Sequence, residues 1–256
     1  MKHKKLLIFT TCLVFIMTCI VGLNQLFSVN DITVVYSVAS VEVTEEVLSL
    51  LEKYKGESMF KVELSEISKE ITSNRYLKVV SVEKKFPNEI VVNLTQRLEK
   101  YYYTAQDATY YFDEEYFIVR KSELPPEKEN YLTEFAFEDI NGNFIETDCA
   151  LKSTFEFPTQ FVNDVTTVIE ELSSVSTNVT KIAFVVTPEE GNYRVELQMR
   201  EGVVIEIRKA GQSLQEKLIS GIEFYKKLEE SRKISGFIYV QINDKGNITA
   251  NHSFGN

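Results

Sequence analysis

Residues 76–97 read YLKVVSVEKKFPNEIVVNLTQR, and this stretch carries the clearest fold signal in the chain. Tyr76 to Lys85 is rich in valine and typical of a strand. Phe86, Pro87 and Asn88 then interrupt the pattern, as turn residues do. After them Ile90, Val92 and Leu94 alternate with other residues, which places these three side chains on one face of a second strand. The stretch therefore predicts two strands joined by a tight turn.

The residues before this pair predict one strand and two helices. Alternation over Ile32–Tyr36 indicates the strand. Thr44 followed by Glu45 and Glu46 resembles a helix start, and Gly56 resembles its end. The apolar residues at helical spacing are Val47, Leu48, Leu51 and Tyr54 in the first helix, and Leu64, Ile67 and Ile71 in the second, over about residues 64–74. The order strand, helix, helix, strand, strand lets two helices cover one face of a three-stranded sheet and leaves an edge open to a partner strand.

The N-terminal segment predicts a membrane anchor. Lys2, Lys4 and Lys5 precede residues 6–30, which carry no charge, and 14 of the 18 residues from Leu6 to Leu23 are apolar. A helix from residue 6 to 27 is ~33 Å long, about the thickness of a bilayer core. We therefore expect a cytoplasmic tip at residues 1–5 and an anchor at 6–27, with the body outside. A cleaved signal peptide is the alternative, although the apolar run is long and no small-residue cleavage site follows it.

The charge of the body limits its partners. The whole chain has 38 acidic and 28 basic residues, a net charge of −10. Without the three N-terminal lysines, the body has 25 basic and 38 acidic residues, a net of −13. Such a body lacks the basic face that binds nucleic acid, so we expect protein partners and no nucleic acid.

The residue inventory predicts no catalytic residue, no metal site and no cofactor. The chain has two histidines, His3 and His252, and no glycine-rich phosphate loop. Cys149 is the one cysteine of the body, so an internal disulfide there is impossible, and we expect a buried thiol. The remaining enzymatic hypothesis is an envelope hydrolase that uses paired carboxylates, either Asp113-Glu114-Glu115 or Glu189-Glu190. Both groups read more simply as exposed hairpin tips.

Residues 99–242 predict a second, mixed β domain with covering helices. A hairpin over residues 109–119, a helix that includes Phe161 to Leu172, and three strands between 181 and 209 come first. A longer helix from Leu214 and a last strand, Phe237 to Ile242, follow. Five tyrosines between Tyr101 and Tyr111 suggest sheet packing or a sugar-stacking surface. The polar tail, residues 243–256, is expected to be flexible.

Two features together resemble a known family. Residues 28–98 resemble a POTRA domain, and its position directly after a single anchor resembles the FtsQ/DivIB family of bacterial division proteins. The turn Phe86-Pro87-Asn88, with a strand that ends at Arg97, is the most recognisable mark. Here Gln96 replaces the acid that the family usually has before that arginine. The fold class implied is α+β: a transmembrane helix, a βααββ POTRA-like domain and a β domain.

The resemblance also implies a function and partners. It implies a bitopic, non-enzymatic scaffold at the septum that binds small coiled-coil division proteins of the FtsL and FtsB/DivIC type and helps control septal peptidoglycan synthesis. It places the contact at the end of the β domain, by strand addition to Phe237, Ile238, Tyr239, Val240, Gln241 and Ile242. The alternative for this strand is burial within the sheet. A POTRA-bearing anchor for secretion or sensing is the alternative function.

Overall fold

A computed structural model describes residues 2–37, 41–124, 126, 131–145, 147, 149–188 and 193–254. The chain divides into two compact units, Met1–Arg97 and Leu98–Asn256. The predicted division into a POTRA-like domain and a β domain placed this boundary one residue later. Glu189 and Glu190, one of the two carboxylate groups proposed from the sequence, lie outside the described residues.

The first unit begins with a long helix, α1 (Lys2–Leu26). Five consecutive residues, Leu13 to Met17, are each 52–70% exposed, so the helix presents apolar side chains on every side. Across the residues that the structure describes, no helix is both long and apolar enough to cross a membrane.

The rest of the first unit has the predicted βααββ order. Its elements are β1 (Asp31–Tyr36), α2 (Val41–Leu51), α3 (Leu64–Ile71), β2 (Leu77–Lys85) and β3 (Glu89–Gln96), with a 3-10 turn at Glu52–Tyr54. β3 is central, parallel to β1 and antiparallel to β2. Ile90, Val92 and Leu94 are at most 1% exposed, which confirms the predicted buried face. They pack against Leu51 and Ile67 from the two helices.

The second unit contains one large sheet and two main helices. The strands are β4 (Tyr101–Thr104), β5 (Thr109–Phe112), β6 (Ile118–Ser122), β7 (Thr133–Asp139), β8 (Val179–Val186), β9 (Tyr193–Met199), β10 (Val204–Ile207), β11 (Phe237–Ile242) and β12 (Ile248–Ser253). The helices are α4 (Val162–Leu172), α5 (Leu214–Lys227) and the short α6 (Glu230–Lys233). The chain therefore has the mixed α+β architecture that the sequence predicts.

Within the described residues, these nine strands form a continuous sheet in the order β12-β11-β10-β9-β8-β7-β4-β5-β6. β11 is parallel to β10 and antiparallel to β12. α4 and α5 contact each other, and their apolar residues share one core cluster with the inner face of the sheet. Phenylalanine dominates the centre of that core, where Phe112 and Phe155 stack with ring centroids 4.7 Å apart.

Two predictions about the C-terminal end are wrong. The resemblance implies strand addition at Phe237–Ile242 as a free edge, but β11 is paired on both sides, as the alternative of burial within the sheet predicts. Residues 243–256 were expected to be a flexible tail, but Ile248–Ser253 forms β12, the outermost strand. The physical reason is that the tail contains a turn sequence followed by residues that extend the sheet by one strand. β7 was also missed, although Phe135 and Phe137 alternate along it.

Candidate functional site

The turn between β11 and β12 fixes the outermost strand of the sheet. The side-chain oxygen of Asn243 accepts hydrogen bonds from the backbone N–H groups of Lys245 and Asn247, each at 3.0 Å. Gly246 adopts a φ of +78°, which favours glycine, and its N–H bonds to the Asn243 carbonyl at 2.9 Å. The turn thus folds β12 back onto β11 in one register.

The register determines which backbone groups of β12 face outward. The N–H of Asn243 donates to the carbonyl of Asn247 at 2.8 Å, which makes this pair a hydrogen-bonded one. Hydrogen-bonded pairs alternate along an antiparallel hairpin. Thr249 and Asn251, opposite Gln241 and Tyr239, therefore direct their backbone groups toward β11. The alternate residues of β12 direct their backbone N–H and C=O groups to the free edge. They are Ile248, Ala250 and His252.

Among the residues that the structure describes, the free edge has none of the usual devices that block strand addition. Natural edges are commonly protected by lysine, other charges, proline or bulges. β12 reads ITANHS and contains no acidic residue, lysine, arginine or proline. Its pairing with β11 runs over all six residues without a register shift. This edge is therefore chemically open to another strand.

The opposite edge of the sheet, β6, is protected. The N–H of Ile118 donates to the carbonyl of Ser153 at 2.9 Å, so a loop covers the start of this strand. Arg120 and Lys121 occupy its second half and form ion pairs with Glu99 and Asp107. The contrast between the two edges singles out β12 as the candidate binding site.

An aromatic surface lies on β11, one strand inward from the open edge. The rings of Phe237 and Tyr239 stack with centroids 5.6 Å apart. The guanidinium of Arg208 lies over the Tyr239 ring at 4.1 Å, and its Nε is 2.6 Å from a carboxylate oxygen of Glu206. Glu206 is 9% exposed, whereas the side chain of Arg208 is 45% exposed, so the ion pair joins a buried carboxylate to a guanidinium that faces water. These side chains form a fixed surface on β11, one strand inward from the edge that β12 presents.

A buried lysine holds the segment behind this surface. The ammonium of Lys217, in α5, donates to the carbonyl oxygens of Arg208 at 2.9 Å and Lys209 at 2.7 Å. The residue is 1% exposed. Burial, with a smaller effect of the charge on Lys209, lowers the pKa of Lys217 below its usual value. Lys217 thus connects α5 to the residues that follow β10.

The six predicted partner-binding residues divide between the two faces of β11. Ile238 and Val240 are fully buried in the core. Phe237 and Tyr239 contribute the aromatic surface, and Gln241 and Ile242 are exposed near the turn. Sequence reasoning missed β12 itself. Its available signals were the turn residues Asn243 to Gly246 and the strand-compatible residues after them.

The predicted POTRA turn motif lies at one end of the first unit. Phe86, Pro87 and Asn88 connect β2 to β3, and the Phe86–Pro87 peptide bond is cis. The carbonyl of Asn88 accepts a hydrogen bond from the N–H of Asn30 at 2.9 Å, directly before β1. Arg97 lies at the other end of the hairpin, where its N–H donates to the Tyr76 carbonyl at 2.8 Å. Arg97 thus directly follows β3, the strand that leads away from the turn, which is where the motif places it.

Of the two carboxylate groups proposed from the sequence, Asp113-Glu114-Glu115 lies within the described residues, and Asp113 stabilises the turn between β5 and β6. One carboxylate oxygen of Asp113 accepts hydrogen bonds from the N–H groups of Glu115 and Phe117, each at 2.9 Å. Asp113 is 4% exposed, whereas Glu114 is directed to solvent. The residues that the structure describes contain no cluster of three His, Cys, Asp or Glu side chains that could hold a metal ion.

The tyrosines and the cysteine pack against the core. Tyr101, Tyr103, Tyr110 and Tyr111 are each at most 6% exposed, which agrees with sheet packing. Tyr102 is half-buried beside Tyr111, with ring centroids 6.1 Å apart. Cys149 is only partly buried against the core, whereas the sequence predicted a buried thiol.

Comparison with known proteins identifies the first unit. No curated protein matches the chain. Residues 27–97 match a family model described as POTRA domain, FtsQ-type. These residues begin one position after α1 and end at the last residue of the first compact unit. The match therefore identifies residues 27–97 as an FtsQ-type POTRA domain.

Proposed function

We propose that this protein is a non-enzymatic scaffold of the division machinery and that β12 binds a partner by strand addition. The observation that carries the proposal is the open edge of the large sheet, which lacks charge, proline and bulge. The proposed partner is a small bitopic coiled-coil protein of the FtsL or FtsB/DivIC type. Through it the scaffold would help control septal peptidoglycan synthesis.

Strand addition at β12 would use main-chain and side-chain contacts. The outward N–H and C=O groups of Ile248, Ala250 and His252 would pair with the partner strand and supply affinity. Alternate side chains of that strand would lie beside Thr249 and Asn251 of β12, on the same face of the sheet as Tyr239, and these cross-strand contacts would supply selectivity. β11 then supports the site from inside the sheet instead of forming the contact itself.

The proposal includes a membrane location. We propose that residues 6–27 anchor the chain, with residues 1–5 cytoplasmic and the body outside, at the division septum. The uncharged sequence of this segment and the three lysines before it support that topology. The exposure of apolar residues on every side of α1 supports it as well, because such a helix requires an apolar environment.

The test is a comparison of two substitutions at Ala250. A250P removes the outward N–H and leaves the hydrogen-bonded pairs at Thr249 and Asn251 in place. A250S keeps the N–H and changes the side chain very little. We expect A250P to weaken binding of the partner's extracytoplasmic segment about tenfold or more, as loss of an edge hydrogen bond with a steric block implies. A250S should bind as the native protein does.

Both variants must first give native circular dichroism and unchanged thermal unfolding. If folded A250P binds the coiled-coil partner with native affinity, strand addition at β12 is wrong. If the native protein binds neither an FtsL-type nor an FtsB/DivIC-type segment, the proposed partner class is wrong.

A further inference from the structure

Three phenylalanine rings form a cluster where α1 ends, and two of them are exposed while Phe27 is partly buried. The ring centroid of Phe27 lies 5.2 Å from that of Phe60 and 6.2 Å from that of Phe86, and the last two are 5.7 Å apart. Phe60 is 68% exposed and Phe86 is 56% exposed. We call these three residues the aromatic cluster. Large apolar side chains that remain exposed together indicate a contact surface.

Backbone hydrogen bonds hold the aromatic cluster at the end of the helix. The N–H of Phe27 donates to the Leu23 carbonyl at 2.9 Å, which continues the helical pattern. The carbonyl of Phe27 accepts a hydrogen bond from the N–H of Met59 at 2.7 Å, which ties the Phe60 loop to this point. The bond from the Asn30 N–H to the Asn88 carbonyl ties the Phe86 turn to the same segment. No free linker therefore separates α1 from the aromatic cluster.

The position of the cluster along the chain indicates what covers it. A helix that leads from Lys5 to Phe27 advances ~33 Å, which brings Phe27 to the far boundary of a bilayer core of about 30 Å. Aromatic side chains are favoured at that boundary. Lys61 and Lys85 are exposed and directly follow Phe60 and precede Phe86, where ammonium groups can meet lipid phosphates.

We propose that the aromatic cluster inserts into the outer interface of the membrane and fixes the POTRA domain on the lipid surface. This inference rests on the proposed anchor at residues 6–27. The consequence is mechanical. The domain would be held at the membrane by α1 and by two additional side chains, Phe60 and Phe86, which restrict its tilt.

The sequence permits a direct optical test, because the chain contains no tryptophan. Single tryptophans replace Phe60, Phe86, Val21 or Val80 in the full chain, reconstituted in phosphatidylcholine–phosphatidylglycerol vesicles with or without brominated acyl chains. Val21 reports on α1. Val80 is 61% exposed in β2, five residues before Lys85 and thus ~17 Å along the strand from the aromatic cluster. Circular dichroism verifies that each variant folds.

We expect F60W and F86W to show blue-shifted emission and loss of intensity in brominated vesicles, as V21W does, while V80W shows neither. If V21W is quenched but F60W and F86W are not, the cluster proposal is wrong and the anchor stands. If V21W is not quenched, the anchor fails and the cluster proposal fails with it. Blue-shifted F60W that resists quenching would show that a second copy or another protein covers the cluster, which also contradicts insertion.

Discussion

Val240 in β11 lies directly opposite Ala250 in β12, with the two Cα positions in register across the hairpin. Val240 is fully buried, and its strand pairs with β10 on the other side. Ala250 is only partly buried and borders the free edge. This pairing places β11 inside the sheet and β12 at its edge.

The first prediction concerns a charge in β11. V240K should lower the free energy of unfolding of the second unit by about 3 kcal/mol or more, because it buries an ammonium without a partner. The neighbouring residue Gln241 is exposed and provides the control. Q241K should change the free energy of unfolding by less than about 0.5 kcal/mol. Native-state hydrogen exchange over residues 98–256 measures both. Equal effects at the two positions would contradict the burial of Val240.

The second prediction concerns close packing of α5 on the sheet. A Cβ at Gly221 would lie 2.9 Å from a methyl group of Ile205 and 3.0 Å from one of Val240. G221A should therefore destabilise the second unit by about 1–3 kcal/mol, despite the higher helix propensity of alanine. E223A, an exposed change on the same helix, should have little effect. Stabilisation by G221A, measured by hydrogen exchange, would show that α5 lies farther from the sheet.

The third prediction concerns the buried lysine of α5. K217A leaves the carbonyl oxygens of Arg208 and Lys209 without their ammonium donor, and it opens a cavity. We expect a loss of about 2 kcal/mol or more from the free energy of unfolding. K226A, an exposed lysine on the same helix, is the control and should cost far less. The same measurement on both variants decides whether Lys217 holds the end of β10.

The fourth prediction concerns alkaline pH. Burial, with the nearby Tyr116 and Glu114, raises the pKa of Tyr101 from 10.0 to about 12. Because the raised pKa belongs to the folded state, this contribution is complete below pH 10 and is lost as pH rises toward 12. Stability should thus fall between these values, and it should fall less steeply in Y101F. Urea unfolding at several pH values measures the slope, and identical slopes would contradict a buried Tyr101 hydroxyl.

Much of the fold was predictable because local patterns and burial agree. The alternation of Ile90, Val92 and Leu94 predicted their burial, and the spacing of Val165, Val168 and Leu172 predicted α4. These patterns are sufficient to predict the elements because each apolar side chain lies on the face that the helical or strand periodicity predicts. The order of strands in a sheet depends on contacts between distant residues, which no local period reports.

The candidate site shows this limit. Phe237–Ile242 has a stronger strand pattern than Ile248–Ser253, so the sequence made β11 seem the last strand. β12 contains asparagine, serine and threonine, and the turn at Asn243 places it beside β11, where the two strands pair. The side chains of an edge strand are often polar because one side of the strand remains in contact with water. The property that makes β12 a candidate site is therefore the one that weakened its sequence signal.

The most direct measurement of the proposed function is residue-resolved hydrogen exchange of β12 with and without the coiled-coil partner. Thr249 and Asn251 direct their N–H groups to β11 and should be protected in both states. The outward N–H groups of Ala250 and His252 should exchange rapidly in the free protein and become protected when the partner binds. Binding that leaves these two amides as fast as before would contradict strand addition at this edge.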